Sequence, residues 1–234
     1  MSDMPGPLIV ALDVDTADDA VMLAKKLDPA KVRVKVGKQL FTREGPQVVH
    51  RLRELGFQIF LDLKFHDIPN TVAKAVVAAA DLGVWMVNVH AAGGERMMRA
   101  AIQALEGRDA RPLITAVTVL TSMSEQDLVE QGIEQPPIER VVNLAKMASA
   151  SGLDGVVCSA EEASILRAEL GDAFLLVTPG IRLPGDDAGD QRRVVTPQAA
   201  MVSGASYLVV GRSITDADNP SAAISTILES IASS

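Results

Sequence analysis

The stretch Gln58-Ile59-Phe60-Leu61-Asp62-Leu63-Lys64-Phe65-His66-Asp67-Ile68-Pro69-Asn70-Thr71 runs from apolar residues into two aspartates and a lysine within six positions, 62 to 67. An apolar run that ends so abruptly in charge reads as a buried strand with chemistry at its C-terminal end. The two-residue period of a strand puts Asp62 and Lys64 on one face. A carboxylate and a proton donor are thereby presented to a single spot. Asp67, a turn later, can approach the same spot or the equivalent one in a neighbouring subunit.

Outward from this stretch the same alternation repeats along the chain. Eight short, mostly apolar runs are separated by longer helical stretches: Leu8 to Leu12, Val32 to Val36, Gln58 to Leu61, Met86 to Val89, Leu113 to Val119, Gly155 to Cys158, Phe174 to Val177 and Tyr207 to Val210. Strands that are apolar throughout belong to a parallel sheet covered on both faces. The helical stretches carry matching punctuation. Ser159-Ala160-Glu161-Glu162 reads as a capping box before Ala163 to Leu170, with Gly171 to close. Thr196-Pro197 and Asn219-Pro220 each open a helix with proline at its first position, and Gly204 ends the former. Thr42 and Gly56 bracket a helix whose Val48, Val49, Leu52 and Leu55 share a core-facing side. Eight strand-helix units predict a closed (β/α)8 TIM barrel, one domain over residues 1–234, in the α/β class. An open doubly wound sheet is the alternative, but the first strand runs into Asp13-Val14-Asp15 rather than a G-x-G-x-x-G turn.

Composition narrows the partners. The 234 residues are 48% hydrophobic, enough for one large core, and 22 basic against 30 acidic residues leave a net charge of -8. No basic block or aromatic-basic interleaving offsets that field, so a nucleic acid is not an expected partner. Small anions remain open to it, because a few local Arg and Lys side chains outweigh a distant negative charge. The opening Met1-Ser2-Asp3-Met4-Pro5-Gly6-Pro7 lacks the basic and long apolar regions of a signal peptide. No apolar run approaches the ~20 residues of a membrane span. A cytoplasmic protein without membrane contact is the expectation. Cys158, the single cysteine, excludes an internal disulfide and reads as a buried strand residue rather than a reactive thiol.

In such a barrel the C-terminal ends of the strands form the active face, and there the polar residues gather. Asp13 follows the first run, Lys35 and Lys38 the second, Asp62 and Lys64 the third, Asn88 and His90 the fourth, Thr118 and Thr121 the fifth. Gly180-Ile181-Arg182 and Gly211-Arg212-Ser213 follow the last two, the places where this fold commonly holds a phosphate. Glycine admits the anion to the backbone and arginine adds a charge-assisted pair. The polar segment Leu183 to Arg193, with Gln191 in it, has the composition of a lid or of plain exposed loop. Lys35, Asp62, Lys64 and Asp67 could form a network that only fixes the barrel mouth. Burying such a network costs several kcal/mol in desolvation, which favours a functional purpose. A divalent ion on the aspartates with His66 or His90 is a further reading, although the interleaved lysines already supply the countercharge. His66 and His50 read as packing or hydrogen-bonding residues.

The run from Asp62 to Thr71 closely resembles the orotidine 5'-monophosphate decarboxylase family, bacterial type. Supporting segments are Ala11-Leu12-Asp13, Val34-Lys35-Val36-Gly37, Val87 to Gly94, Leu120-Thr121-Ser122, Thr178 to Arg182, Asp190-Gln191 and Val210 to Ser213. The D-x-K-x-x-D core alone is shared with sugar-phosphate relatives. Its extension into Ile68-Pro69-Asn70-Thr71 is what marks this family. The resemblance implies decarboxylation of orotidine 5'-monophosphate to UMP, in pyrimidine biosynthesis, without cofactor or metal. It implies a homodimer in which Lys35, Asp62 and Lys64 of one subunit meet Asp67 of the other as the catalytic array. By the same resemblance Asp13, Lys35 and Asp62 contact the nucleotide, with Thr71 also at the substrate. Thr121 meets the pyrimidine, Gln191 bridges pyrimidine and phosphate, and Arg182, Gly211 and Arg212 hold the phosphate. A magnesium-dependent sugar-phosphate lyase and a non-catalytic nucleotide-binding barrel are the competing readings.

Overall fold

Eight strands pair in parallel and in chain order until the last meets the first, closing a barrel: β1 (Leu8–Ala11), β2 (Arg33–Gly37), β3 (Ile59–Phe65), β4 (Met86–His90), β5 (Leu113–Val117), β6 (Gly155–Val157), β7 (Leu175–Thr178) and β8 (Tyr207–Val210). The computed structural model describes residues 5–183 and 195–232. Each expected run becomes a strand, with ends displaced by a residue or two. The exception is β3, which continues four residues past Leu61 through the charged positions to Phe65. The open-sheet alternative is excluded by the β1–β8 pairing, Leu8 with Leu208 and Val10 with Val210.

Strand alternation divides the core in two. Leu8, Val10 and Leu12 point outward into the large cluster shared with the helices. Ile9 and Ala11 point inward, where they pack with Phe60, Met86, Val177 and Val209. The inward row of β2 holds charge at both levels. At the bottom, Arg33 is 1% exposed; it donates to Gln58 Oε1 (2.7 Å) and to the carbonyls of Pro5 (3.0 Å) and Gly6 (2.7 Å). Its guanidinium lies 4.2 Å from the Trp85 ring centroid and 5.2 Å from that of Tyr207, a cation-π seat that offsets desolvation. Two residues further along the same row, Lys35 reaches the open end.

The helix signals hold with two corrections. Thr196 caps Pro197–Val202 and Asn219 caps Pro220–Ala232, each accepting an N–H from the first turn. In the box before Ala163–Leu170 only the acidic half has its expected geometry. The Glu162 carboxylate accepts the Ser159 N–H at 2.9 Å, while Ser159 Oγ accepts from Glu161 instead of Glu162. Between β2 and β3 there are two helices, Lys38–Glu44 and Gln47–Glu54, so Thr42 lies inside the first and begins nothing. Gly45, at φ 63, and Pro46 make the break, because glycine takes the left-handed turn and proline cannot continue a helix. Val48, Val49 and Leu52 are nevertheless fully buried, as their spacing requires.

Candidate active site

The open end of the barrel surrounds a cavity of about 610 Å³, within the range of small-ligand sites. Asp13, Lys35, Asp62 and Lys64 line one side of it. Thr121, Arg182, Gly211 and Arg212 line the loops above β5, β7 and β8. Eight expected site residues, distant in sequence, therefore meet at one place. Asp67 and Thr71 do not line it. Both are exposed, on the turn after β3 and in the first turn of the Pro69–Asp81 helix, and the Asp67 carboxylate accepts the Ile68 N–H at 2.6 Å. Gln191 and the proposed lid beyond Leu183 lie outside the described residues.

The charged side is a chain of alternating sign. Lys35 Nζ is 3.0 Å from Asp13 Oδ1 and 3.6 Å from Asp62 Oδ2; Lys64 Nζ donates to Asp62 Oδ1 at 2.6 Å. Burial pushes the Asp62 carboxyl up, but Lys35, Lys64 and the hydrogen bonds from Lys64 and Asn88 outweigh it and hold the group below the ordinary carboxylate value. Asp62 is thus an anion clasped between two cations, with Lys64 a quarter exposed toward the cavity.

Plain strand alternation does not account for how Asp62 and Lys64 meet. Leu61 pairs with Val87 but Phe65 pairs with Val89, so β3 has two residues more than β4 over this interval. The bulge places Lys64 at φ 52, the only non-glycine residue with positive φ among those described. Such a conformation costs of order 1 kcal/mol or more and persists where surroundings impose it. Asn88 supplies those surroundings. Its Nδ2 donates to Asp62 Oδ1 and its Oδ1 accepts the Lys64 main-chain N–H, both at 2.7 Å. The sequence signal was an amide within Met86-Val87-Asn88-Val89, a position that apolar strand chemistry does not call for.

On the loop after β7, Arg182 is buried and donates through one terminal nitrogen to the Ile181 carbonyl at 2.9 Å. Its Nε and the Ser213 hydroxyl are buried without hydrogen-bond partners among the described residues. Unpaired buried donors are costly and are relieved by an acceptor. His66 and His90 stack on one another at 5.3 Å, as packing residues do. No group of three or more His, Cys, Asp or Glu side chains among the described residues could hold a metal ion. Cys158 is buried.

Residues 6–227 match the model of the Orotidine 5'-phosphate decarboxylase / HUMPS family. The chain belongs to that family. Curated relatives named orotidine 5'-phosphate decarboxylase include one from Alcanivorax borkumensis, 59% identical over 97% of this chain and 98% of the relative. Another, from Chromohalobacter salexigens, is 58% identical over 98% of each. Among solved structures, orotidine 5'-phosphate decarboxylase from Lactobacillus acidophilus superposes with a TM-score of 0.86 at 44% identity, covering 97% of this chain and 99% of that one. An uncharacterized conserved protein from Geobacillus kaustophilus gives 0.85 at 41%, over 96% and 100%. In a chain of this family, the Asp-Lys array and Arg182, whose Nε has no partner among the described residues, thus line one cavity.

Proposed function

We propose that this chain decarboxylates orotidine 5'-monophosphate to UMP, with the Lys35-Asp62-Lys64 array as the reacting centre. The observation that carries the reading is the Lys64 ammonium, held by Asp62 at 2.6 Å inside a cavity whose far side offers Arg182 and Arg212. The phosphate sits between those arginines, and the Arg182 Nε, without an acceptor among the described residues, gains one. Asp13 and Lys35 hold the ribose hydroxyls, and Thr121 meets the base.

The chemistry requires an anion to be stabilised where no adjacent electron sink exists. The bond from C6 of the pyrimidine to its carboxylate breaks, CO2 leaves, and the electron pair stays on C6. Lys64 stabilises that carbanion by its charge and then transfers an Nζ proton to it, regaining one from solvent. Asp62, kept ionised by its two lysines, opposes the substrate carboxylate before CO2 departs and orients Lys64 throughout. No step calls for a cofactor. Binding energy from the phosphate, remote from C6, helps hold the base against the array.

We further infer a homodimer in which Asp67 and Thr71 serve the partner's site. Their exposure outside their own cavity supports this, as does Ile68 between them, 67% exposed, an apolar side chain that an interface would cover. The direct test mixes purified protein with orotidine 5'-monophosphate and EDTA and follows loss of the orotate absorbance. Turnover that survives the chelator is the expected result. Activity lost with chelator and restored by Mg²⁺ would instead point to the sugar-phosphate chemistry of related barrels. Absence of any turnover alongside UMP binding would leave a nucleotide-binding barrel.

A further inference from the structure

Asn88 is completely buried, and both ends of its amide face the array. The partners fix its orientation: a carboxylate can only accept and a main-chain N–H can only donate, so Nδ2 faces Asp62 and Oδ1 faces Lys64. It touches Lys64 where the β3 bulge has forced a left-handed main chain. It touches Asp62 on Oδ1, the same oxygen that receives the Lys64 ammonium. One neutral side chain therefore ties the conformation of the lysine to the rotamer of the aspartate. Apolar side chains of similar size could fill the space, but none could do both.

We propose that Asn88 is the positioning residue of this site, locking Lys64 in its left-handed conformation and Asp62 in the rotamer that presents the Lys64 ammonium to the cavity. The inference rests on the reading of Lys64 as proton donor, and it adds a requirement that the charged residues alone do not impose. Without Asn88 the Lys64 N–H loses its buried acceptor, and the main chain can relax toward ordinary strand geometry. The ammonium then leaves the point from which it reaches C6, while the phosphate and ribose contacts stay in place.

Two near-isosteric substitutions separate this from a packing role. Asn88→Asp keeps an acceptor for the Lys64 N–H but sets a second carboxylate against Asp62. The charged and titratable groups around position 88 are Asp62 and Lys64 on β3, Lys35 on β2 and His90 on β4 with His66 stacked on it; Thr115, its register partner on β5, is neutral. Two carboxylates sharing a site hold one proton with a raised pKa, so it is taken up as pH falls into a range where a lone carboxylate would stay ionised. Once protonated, the introduced carboxyl donates to Asp62 and still accepts from Lys64, restoring the native pattern. The Asn88→Asp variant should therefore lose about 100-fold in kcat at pH 8, with UMP affinity within about threefold of wild type, and recover part of the loss as pH falls toward 6. The wild-type profile should show no such rise. Wild-type turnover at pH 8, or a deficit identical at every pH, overturns the proposal.

Asn88→Leu removes both bonds and supplies a readout independent of activity. Its crystal structure should show Lys64 at negative φ or its ammonium detached from Asp62. A native Lys64 conformation with the Asp62 contact intact overturns the proposal even if Asn88→Asp fails to fold. Should wild-type protein prove inert toward orotidine 5'-monophosphate, the proposed reaction falls, yet this structural arm still decides whether Asn88 holds Lys64.

Discussion

Lys64 concentrates the site's demands in one residue: a left-handed main chain, an ion pair at 2.6 Å and access to the cavity. Replacing it with alanine should remove proton donor and carbanion-stabilising charge together. Loss of more than about 10³-fold in kcat is expected, beyond the effect of a single oxyanion donor, with UMP binding by calorimetry little changed. Turnover within tenfold of wild type in a contamination-free preparation would sink the assigned role. Arg212 allows a contrast between substrates. Arg212→Ala should cost about 10- to 100-fold in kcat/KM for orotidine 5'-monophosphate, the worth of a charge-assisted hydrogen bond, and barely alter the slow reaction of orotidine, which carries no phosphate. Equal loss on both would mean that Arg212 shapes the loop rather than holding an anion. These side chains were legible in the sequence because charge at strand ends is conspicuous. Asn88 was named there among the polar residues of the active face but given no role, since its partners depend on a bulge that no local pattern announces.

At the scale of single elements, β6 lies close against β7 at Gly155. A Cβ on Gly155 would run into the carbonyl oxygen and Cβ of Leu175 on β7. Both belong to the paired neighbouring strand and cannot swing aside. Gly155→Ala should destabilise the fold by about 1 to 3 kcal/mol or more through overpacking, read as a lower urea midpoint at unchanged slope; an unchanged midpoint would refute the tight approach. The end of β4 carries a pH dependence. Burial, and then charge repulsion from His66, Lys38, Lys64 and Arg140, hold the His90 imidazole down to about 4 from an ordinary 6.5. Between those values the unfolded chain binds a proton that the folded chain refuses, so the contribution is complete above pH 6.5 and is lost as pH falls toward and through 4. His90→Asn keeps an acceptor for the Ala92 N–H, which His90 Nδ1 receives at 3.3 Å. Its melting temperature should therefore fall less steeply than wild type across that window. Parallel slopes for the two proteins would show that His90 does not titrate there.

At the scale of the whole molecule the test is the sharing of sites between subunits. Lys64→Ala and Asp67→Ala proteins, each inactive, should regain activity when mixed under conditions of subunit exchange. In a hybrid dimer one site inherits both lesions and the other neither. With equal mixing half the dimers are hybrids, so activity should approach about a quarter of wild type. If Asp67 served its own chain, every site would carry one lesion. A mixture that stays dead despite proven exchange would refute the shared site.

The order of the eight strands, and the end of the barrel at which the polar residues gather, were determined by the sequence itself. Strand alternation, helix periodicity and capping are local properties, set by backbone geometry and by neighbours a few positions away. Val48, Val49 and Leu52 could be placed in the core even though the helix holding them begins at Gln47 and not at Thr42. Tertiary structure alone decided that Asp13, Lys35, Asp62, Thr121, Arg182 and Arg212 share one cavity, with the ion pairs that join its charged side. It alone placed Arg33 within the barrel against Trp85 and Tyr207. It also turned Lys64 to positive φ and gave its N–H to Asn88. Each of these depends on register between strands that are distant in the chain. A buried polar group takes its partner from whatever register brings within about 3 Å, and that distance exists only once the barrel has closed.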